Sequence, residues 1–340
     1  MEQARRELAR MRESTAAWQE LEYQQAKDAE DLDYDVNEVH RALVLWALQY
    51  DRRPEDLPLL RFLAEQEAQC RRNAPFQGLG EQAELAGFLL AEHRQPDDVW
   101  RQYAIKRANF DTWCGYDREY VFAAGVRATL DVVRASDHPE RDEMLQFFGE
   151  TDLDDDDLEQ WAESKREWFP RDPDDEDALT WVERAKLAGE TELARAELDR
   201  WARDRPRDVG TLNQLRYELA SLGAFAEAAQ AQREGLAFAE TGWDLASGWQ
   251  NLAELERKAG DHRAAWEALK ECGKALEGVD GWQEVGLGRQ YVEELFLLAG
   301  VAEIGLAREV FAEAQRQARH VPRLPPVVQT AAKEAADRLR

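Results

Sequence analysis

The sequence predicts an all-α protein, and three observations carry the prediction. In VNEVHRALVLWALQY (36–50), Val36, Val39, Leu43, Trp46 and Tyr50 recur at three- and four-residue steps, one apolar stripe along a helix. Strand-like alternation is nearly absent along the chain. A helix-start signal recurs: RPED at 53–56, QPDD at 95–98, HPER at 138–141 and DPDD at 172–175. Proline suits the first helical position because its missing N–H would have no intrahelical partner there, and the acids that follow face exposed N–H groups at the positive end of the helix dipole.

Taken in order, the N-terminal half reads as helices near 2–30, 36–50, 57–72, 80–94, 97–109, 116–135, 139–149 and 156–169, with no regular period. In TDLDDDDLEQW (151–161), Asp154 or Asp155 caps a helix that Leu158, Trp161, Lys165 and Trp168 continue, with Leu158, Trp161 and Trp168 on one face. The acidic, proline-containing stretch at 170–177 divides an irregular helical domain (1–170) from a second region (174–340). That second region repeats. Segments 178–206, 211–240, 244–276 and 288–315 align on Gly189, Gly223, Gly260 and Gly300, at spacings of 34, 37 and 40 residues. A period near 34 marks stacked helical hairpins.

These segments resemble the tetratricopeptide repeat family over about 175–319. Trp249, Leu252, Ala253, Gly260, Ala265 and Leu269 stand where that consensus has Trp, Leu, a small residue, the turn Gly, Ala and an apolar residue. Gly189, Ala194, Leu198 and Pro206 match in the first copy, while the fourth has Gly305 where Ala is usual. The resemblance implies an α-solenoid of four hairpins, with LPPVVQTAAKEAADRLR as a capping helix. It also implies a concave groove lined by the first helix of each hairpin. Carried over position by position, one column of that groove is Glu183, Tyr217, Glu254 and Glu294, the adjacent column Leu179, Asn213, Gln250 and Gln290, with Lys186 and Arg257 further along. Glutamates flanked by amides suit an extended ligand bearing Lys or Arg.

Composition limits the function. The chain of 340 residues carries a net charge of −26, so its surface repels nucleic-acid phosphates and anionic lipids and attracts a basic protein or peptide. From Asp137 to Asp177 there are 18 acids against Arg141, Lys165, Arg166 and Arg171, which places −14 in about an eighth of the chain. Asp154, Asp155, Asp156, Asp157, Asp174 and Asp175 form the expected acidic patch. The N-terminus has no apolar targeting segment, the longest apolar run is ALVLWAL (42–48), and three scattered cysteines, Cys70, Cys114 and Cys272, suit a reducing, cytoplasmic setting without disulfides, structural metal or cofactor.

Three chemical readings compete with simple binding. Asp152, Asp154, Asp156, Leu158, Gln160 and Glu163 occupy calcium-loop positions, but Asp157 stands where the loop turns on glycine and Glu159 where it is apolar. DDDLE (155–159) fits the metal-binding spacing of the all-helical terpene synthases, without their second Asn-Ser-Glu motif. Cys114, before Gly115 in NFDTWCGYDREY (109–120), lacks a local base, and the segment reads as a junction packed by Trp113 and Tyr116. The sequence therefore points to a non-enzymatic interaction scaffold or regulator that binds a basic protein or peptide. An immunity or DNA-mimic inhibitor of a basic toxin or nuclease is the alternative, in a bacterial setting, and a metal-dependent helical enzyme using 152–163 the rival of another class.

Overall fold

The computed structural model describes residues 1–74, 76 and 78–340, and the chain is all-helical apart from one small hairpin among the described residues. It divides into two compact units, Met1–Asp177 and Ala178–Arg340. No helix among the described residues is long and apolar enough to cross a membrane.

The first unit comprises α1 (Glu2–Glu13), α2 (Glu38–Tyr50), α3 (Leu57–Asn73), α4 (Glu81–Ala91), α5 (Val99–Lys106), α6 (Phe110–Gly115), α7 (Val126–Ala135), α8 (Arg141–Phe148) and α9 (Asp155–Trp168). The helix expected over 2–30 ends at Glu13. A short 3-10 segment, Thr15–Leu21, follows, and then an antiparallel pair, β1 (Gln25–Lys27) and β2 (Asp33–Asp35), with Ala26 opposite Tyr34. The turn lacks a conventional hairpin dipeptide. Asp28 Oδ1 instead accepts the N–H groups of Glu30 (2.8 Å) and Leu32 (2.9 Å), and Asp31 takes φ +63°. The helix expected over 116–135 is also broken: residues 118–120 form a 3-10 turn and α7 starts only at Val126, after Gly125 at φ +100°.

Arg41 on α2 organises this unit. Its side chain is fully buried and donates to Asp35 Oδ2 (2.5 Å), Glu67 Oε1 (2.7 Å) and the Leu21 carbonyl (3.3 Å), joining β2, α3 and the 3-10 segment. Asp35 also accepts the Gln24 and Asn37 N–H groups. A buried guanidinium is tolerable only when it is paired in this way, and one atom of the cluster, Glu67 Oε2, is left without a partner among the described residues. Elsewhere Tyr103, Phe122, Val133, Met144 and Phe148 form an aromatic-rich core.

The recurrent proline signals sit at helix starts. Pro54–Asp56, Pro96–Asp98 and Pro173–Asp175 are 3-10 turns with proline at the first or second position, the first two leading directly into α3 and α5. Asp56 and Asp98 are buried, each gripped by arginine: Arg12 on Asp56 (2.7 Å), Arg61 on Asp98 (2.7 Å). The same residue pattern thus both starts a helix and fastens it to its neighbour.

The second unit is a succession of helices that pack on their chain neighbours: α10 (Ala178–Leu187) on α11 (Thr191–Ala202), α12 (Val209–Ser221) on α13 (Phe225–Gly235), α14 (Gly242–Ala259) on α15 (His262–Glu277), and α16 (Gly286–Val301) on α17 (Ile304–Ala318) and α18 (Pro326–Arg338). Such packed pairs are compatible with a helical repeat. Gly189, Gly223 and Gly260 sit at the first three turns with φ of +73°, +74° and +85°. Each turn closes on the same pair of bonds, for example Gly260 N–H to the Arg257 carbonyl and Asp261 N–H to the Glu256 carbonyl. The fourth expected turn glycine is not one. Gly300 lies inside α16, whose last residue is Val301, and the chain reverses at Ala302–Glu303. Counted from the observed turn, the small contact residue of the fourth pair is the fully buried Ala307 rather than Gly305, matching Ala194, Ala228 and Ala265. Small residues there let adjacent helices approach closely.

Two glycine substitutions therefore have opposite expected signs. Gly260→Ala forces a left-handed conformation on a side-chain-bearing residue and costs about 1 kcal/mol, whereas Gly300→Ala, in helical backbone with open space at its Cβ position, gains about 0.5 kcal/mol. Denaturant unfolding of the two variants measures both.

Candidate functional site

The two sequence-expected surfaces lie in different units. In the second unit, Glu183 and Tyr217 are exposed and Glu254 is about two-fifths exposed, so all three reach solvent from α10, α12 and α14. Asn213 and Gln290 are exposed, Leu179 is half-buried and Gln250 is buried.

Glu294 departs from the expected column. It is 3% exposed and is held by Arg257 through two bonds, Nε to Oε1 at 2.5 Å and Nη2 to Oε2 at 3.1 Å. The reason is register: its alignment rested on Gly300, and the true turn two residues later moves Glu294 off the exposed face. Arg257 is correspondingly a strut between α14 and α16 rather than a groove cation. Lys186 has a similar place, bonding Glu183 (2.8 Å) and the buried Glu218 (3.1 Å) to tie α10 to α12, while standing 5.7 Å from the Tyr217 ring centre. Arg233 reaches the buried Glu256, joining α13 to α14. Burial raises the carboxyl pKa values of Glu218, Glu256 and Glu294, against the opposing pull of their cationic partners. Much of the expected groove charge is thus internal fastening.

In the first unit the acidic stretch is built differently. Asp154 is the N-cap of α9, its Oδ1 accepting the N–H groups of Asp156 (3.0 Å) and Asp157 (2.9 Å), and Asp157 Oδ2 accepts the Asp154 N–H (3.1 Å). This reciprocal capping satisfies backbone donors that would otherwise have no partner. It also commits residues 155–163 to helix, so the loop needed by the calcium reading does not form. Among the described residues no group of three His, Cys, Asp or Glu side chains is arranged to hold a metal ion. The apolar face of α9 is Leu158, Ala162 and, just beyond its end, Phe169, which stacks on Phe88 (5.3 Å). Trp168, expected on that face, is 67% exposed because Phe169 occupies the buried position one residue later.

Asp155 and Asp156 project from the first turn of α9, and Asp174 and Asp175 from the turn at 173–175. All four are exposed and make no ion pair among the described residues. They contrast with Asp56 and Asp98 in the sister motifs, whose carboxylates arginines consume. Asp155 lines a cleft of about 330 Å³ whose walls include Phe88, Ala91, Gly125, Leu158 and Trp161, together with Glu92 and the ion-paired Arg94 and Glu159. A lysine or arginine side chain, with an apolar stem and a cationic head, matches an apolar wall beside a carboxylate. The sequence marks Asp155 through its acidic run but gives no sign of the cleft, whose walls come from α4 and the residues just after it, the segment 123–125 that precedes α7, and α9.

The segment around Cys114 is a packed junction. Asn109 caps α6, Lys106 donates to the carbonyls of Trp113 (2.6 Å) and Tyr116 (2.5 Å), and Tyr116 stacks on Tyr120 (4.2 Å), which meets Trp161 edge-on (4.7 Å). Cys114 itself is exposed, and His138 is occupied in stacking on Trp100 at 3.9 Å.

No protein-family model, curated protein or solved structure matches this chain.

The strut carries two predictions. Glu294→Leu alone strands a buried guanidinium and costs about 3–5 kcal/mol in denaturant unfolding, whereas the double variant Arg257→Met/Glu294→Leu recovers most of that loss. Because burial raises the folded-state pKa of Glu294, the native protein takes up a proton there before the unfolded chain does. Stability of the wild type relative to Glu294→Gln therefore increases as pH falls from neutral toward the ordinary glutamate range, and levels off below it. Paired unfolding curves across that window check the sign.

Proposed function

We propose that the protein is a non-enzymatic helical binding module that captures a basic protein or peptide through its acidic surface. The observation that supports this best is the fate of its carboxylates. Asp56, Asp98, Glu67, Glu218 and Glu294 are spent on internal pairing, while Asp155, Asp156, Asp174 and Asp175 stand exposed without ion pairs among the described residues. Leaving like charges together on a surface disfavours folding through mutual repulsion, so their concentration needs a compensating use. A cationic partner supplies one. Encounter is accelerated by the long-range field, and side chains lodged in the cleft beside Asp155 add close contact.

We read the second unit as a tetratricopeptide-like array. Its support is the repeated left-handed turn at Gly189, Gly223 and Gly260 and the buried alanine five residues beyond each. In this reading Glu183, Tyr217 and Glu254 form the exposed remnant of a peptide groove, secondary to the aspartates. A second reading, an inhibitor that covers the basic active surface of a toxin or nuclease, draws on the same aspartates. Asp155 and Asp156 are held on a capped helix rather than on a loose tail, so a rigid pattern of negative charge is displayed.

The test uses a fluorescent lysine-rich peptide and the full chain. Replacing Asp155, Asp156, Asp174 and Asp175 with lysine lowers affinity at least tenfold and removes most of its salt dependence, while Glu183→Lys/Glu254→Lys has a smaller effect. Equal affinity of the quadruple variant and the wild type, measured by anisotropy at several salt concentrations, would overturn the reading.

A further inference from the structure

The β1–β2 ribbon is built inside out. Its register pairs Gln25 with Asp35, Ala26 with Tyr34 and Lys27 with Asp33, and alternate residues share a face. Asp33 and Asp35 share the inner face, where Asp35 reaches the buried Arg41. Tyr34 is on the opposite face, and the same alternation places Leu32 and Val36 with it. These three side chains are between 39% and 48% exposed. A ribbon covered on one side ordinarily turns its apolar residues inward and its acids to water. Here the outward face carries the large apolar residues, and the Asp35 carboxylate points to the interior.

The ribbon also has a free edge. Asp28 N–H donates to the Leu32 carbonyl (2.9 Å) and Val36 N–H to the Gln24 carbonyl (2.9 Å). Bonded and non-bonded pairs alternate along an antiparallel ladder, so Ala26 and Tyr34 bond to each other, and Gln25 and Lys27 turn their backbone groups away from β2. Both residues are exposed, and no other element among the described residues bonds their backbone N–H or carbonyl groups. An unpaired edge is a template for another extended chain. Two strands alone are marginal, and a third over an apolar face is the arrangement that becomes stable. Ala26, the small residue between Tyr34 and that edge, leaves room for a large side chain from an added strand.

Charge selects the occupant. Lys27 is the one cation in residues 24–36, and Asp31 (3.2 Å) and Asp33 (3.7 Å) share it. Asp35 belongs to Arg41. Asp28 Oδ1 is held only by the backbone of the turn, and Glu30 is exposed and makes no ion pair among the described residues. With Asp35 set aside, Lys27 stands against Asp28, Glu30, Asp31 and Asp33, so the turn end keeps an excess of negative charge after every ion pair is counted. A second copy would add its own acids to these in a chain of net −26, whereas a basic segment neutralises them.

We propose that an extended segment of a partner protein adds to the β1 edge as a third strand. Its alternate apolar side chains cover Leu32, Tyr34 and Val36, and lysines or arginines at one end meet Asp28, Glu30 and Asp31 at the turn. This goes beyond capture of a basic partner by the aspartates of α9 and of the turn at 173–175, because it assigns backbone pairing and apolar contact to a different element.

The test uses the full chain and a short fluorescent peptide in which valine alternates with threonine and arginines occupy one end, read by anisotropy. The peptide binds about tenfold more tightly than one of the same composition with its valines grouped. It also binds about tenfold more tightly than its own form N-methylated at alternate positions, which keeps the side chains and removes the donors that a strand needs. Tyr34→Ser/Val36→Ser and Glu30→Lys/Asp31→Lys, all at exposed positions, each weaken binding about tenfold, with folding verified by circular dichroism. Failure of the alternating peptide to bind, equal binding of either control peptide, or unchanged affinity in either variant overturns the proposal. So does a dimer in sedimentation that Tyr34→Ser/Val36→Ser converts to monomer, since a second copy then covers the face. A plain lysine-rich peptide has no apolar side chains to lose contact in Tyr34→Ser/Val36→Ser, so this proposal and the one above fail separately.

Discussion

Arginine–carboxylate pairing across neighbouring helices is the constraint on which the architecture rests. With 70 acids and 44 lysines and arginines, cations are the scarce component, and the fold draws many of them inward. Arg41 holds Asp35 and Glu67, Arg12 holds Asp56, Arg61 holds Asp98 and Arg257 holds Glu294, each with at least one nearly buried partner. Ions removed from water need geometrically complete partners, so these pairs fix which helix faces meet and in what register. They add specificity to apolar surfaces that would otherwise slide against one another.

The same allocation decides what remains outside. Each internal cation neutralises a carboxylate that then cannot act on another molecule, and the remaining acids concentrate where no arginine reaches. The contrast between Asp98 in QPDD and Asp175 in DPDD shows this with one motif in two settings: the first is buried under Arg61, the second is left in water. The exposed acidic surface is the charge left over after the interior has been satisfied.

Helix content and most helix starts were legible in the sequence because their determinants are local: apolar spacing, Asp154 as a cap, proline at the first turn. The turns at Gly189, Gly223 and Gly260 were legible for the same reason. Three features were not. The β1–β2 hairpin depends on Asp28 folding back on its own backbone and on Asp35 finding Arg41, and the second partner cannot be inferred from spacing. Gly300 imitates a turn glycine, and only the packing of α16 reveals that the helix runs past it, which is why Glu294 was assigned to the wrong face. Trp168 yields the inward position to Phe169 because Phe88 is there to receive it. A usable signal did exist for close contacts: glycines in the middle of helices, such as Gly87 and Gly273, mark places where a tyrosine hydroxyl from another part of the chain comes too close for a side chain.

The arrangement around Arg41 has a consequence for how the N-terminal region comes apart. A ladder of three residue pairs has almost no stability alone. Here its last rung is bound to a guanidinium that α3 also grips, so the ribbon is released only when that buried charge loses its cage. Residues 25–35, although at the periphery and partly exposed, therefore belong to the same cooperative unfolding unit as the interior of α2 and α3, and their amide protons exchange with it rather than with the fraying chain end.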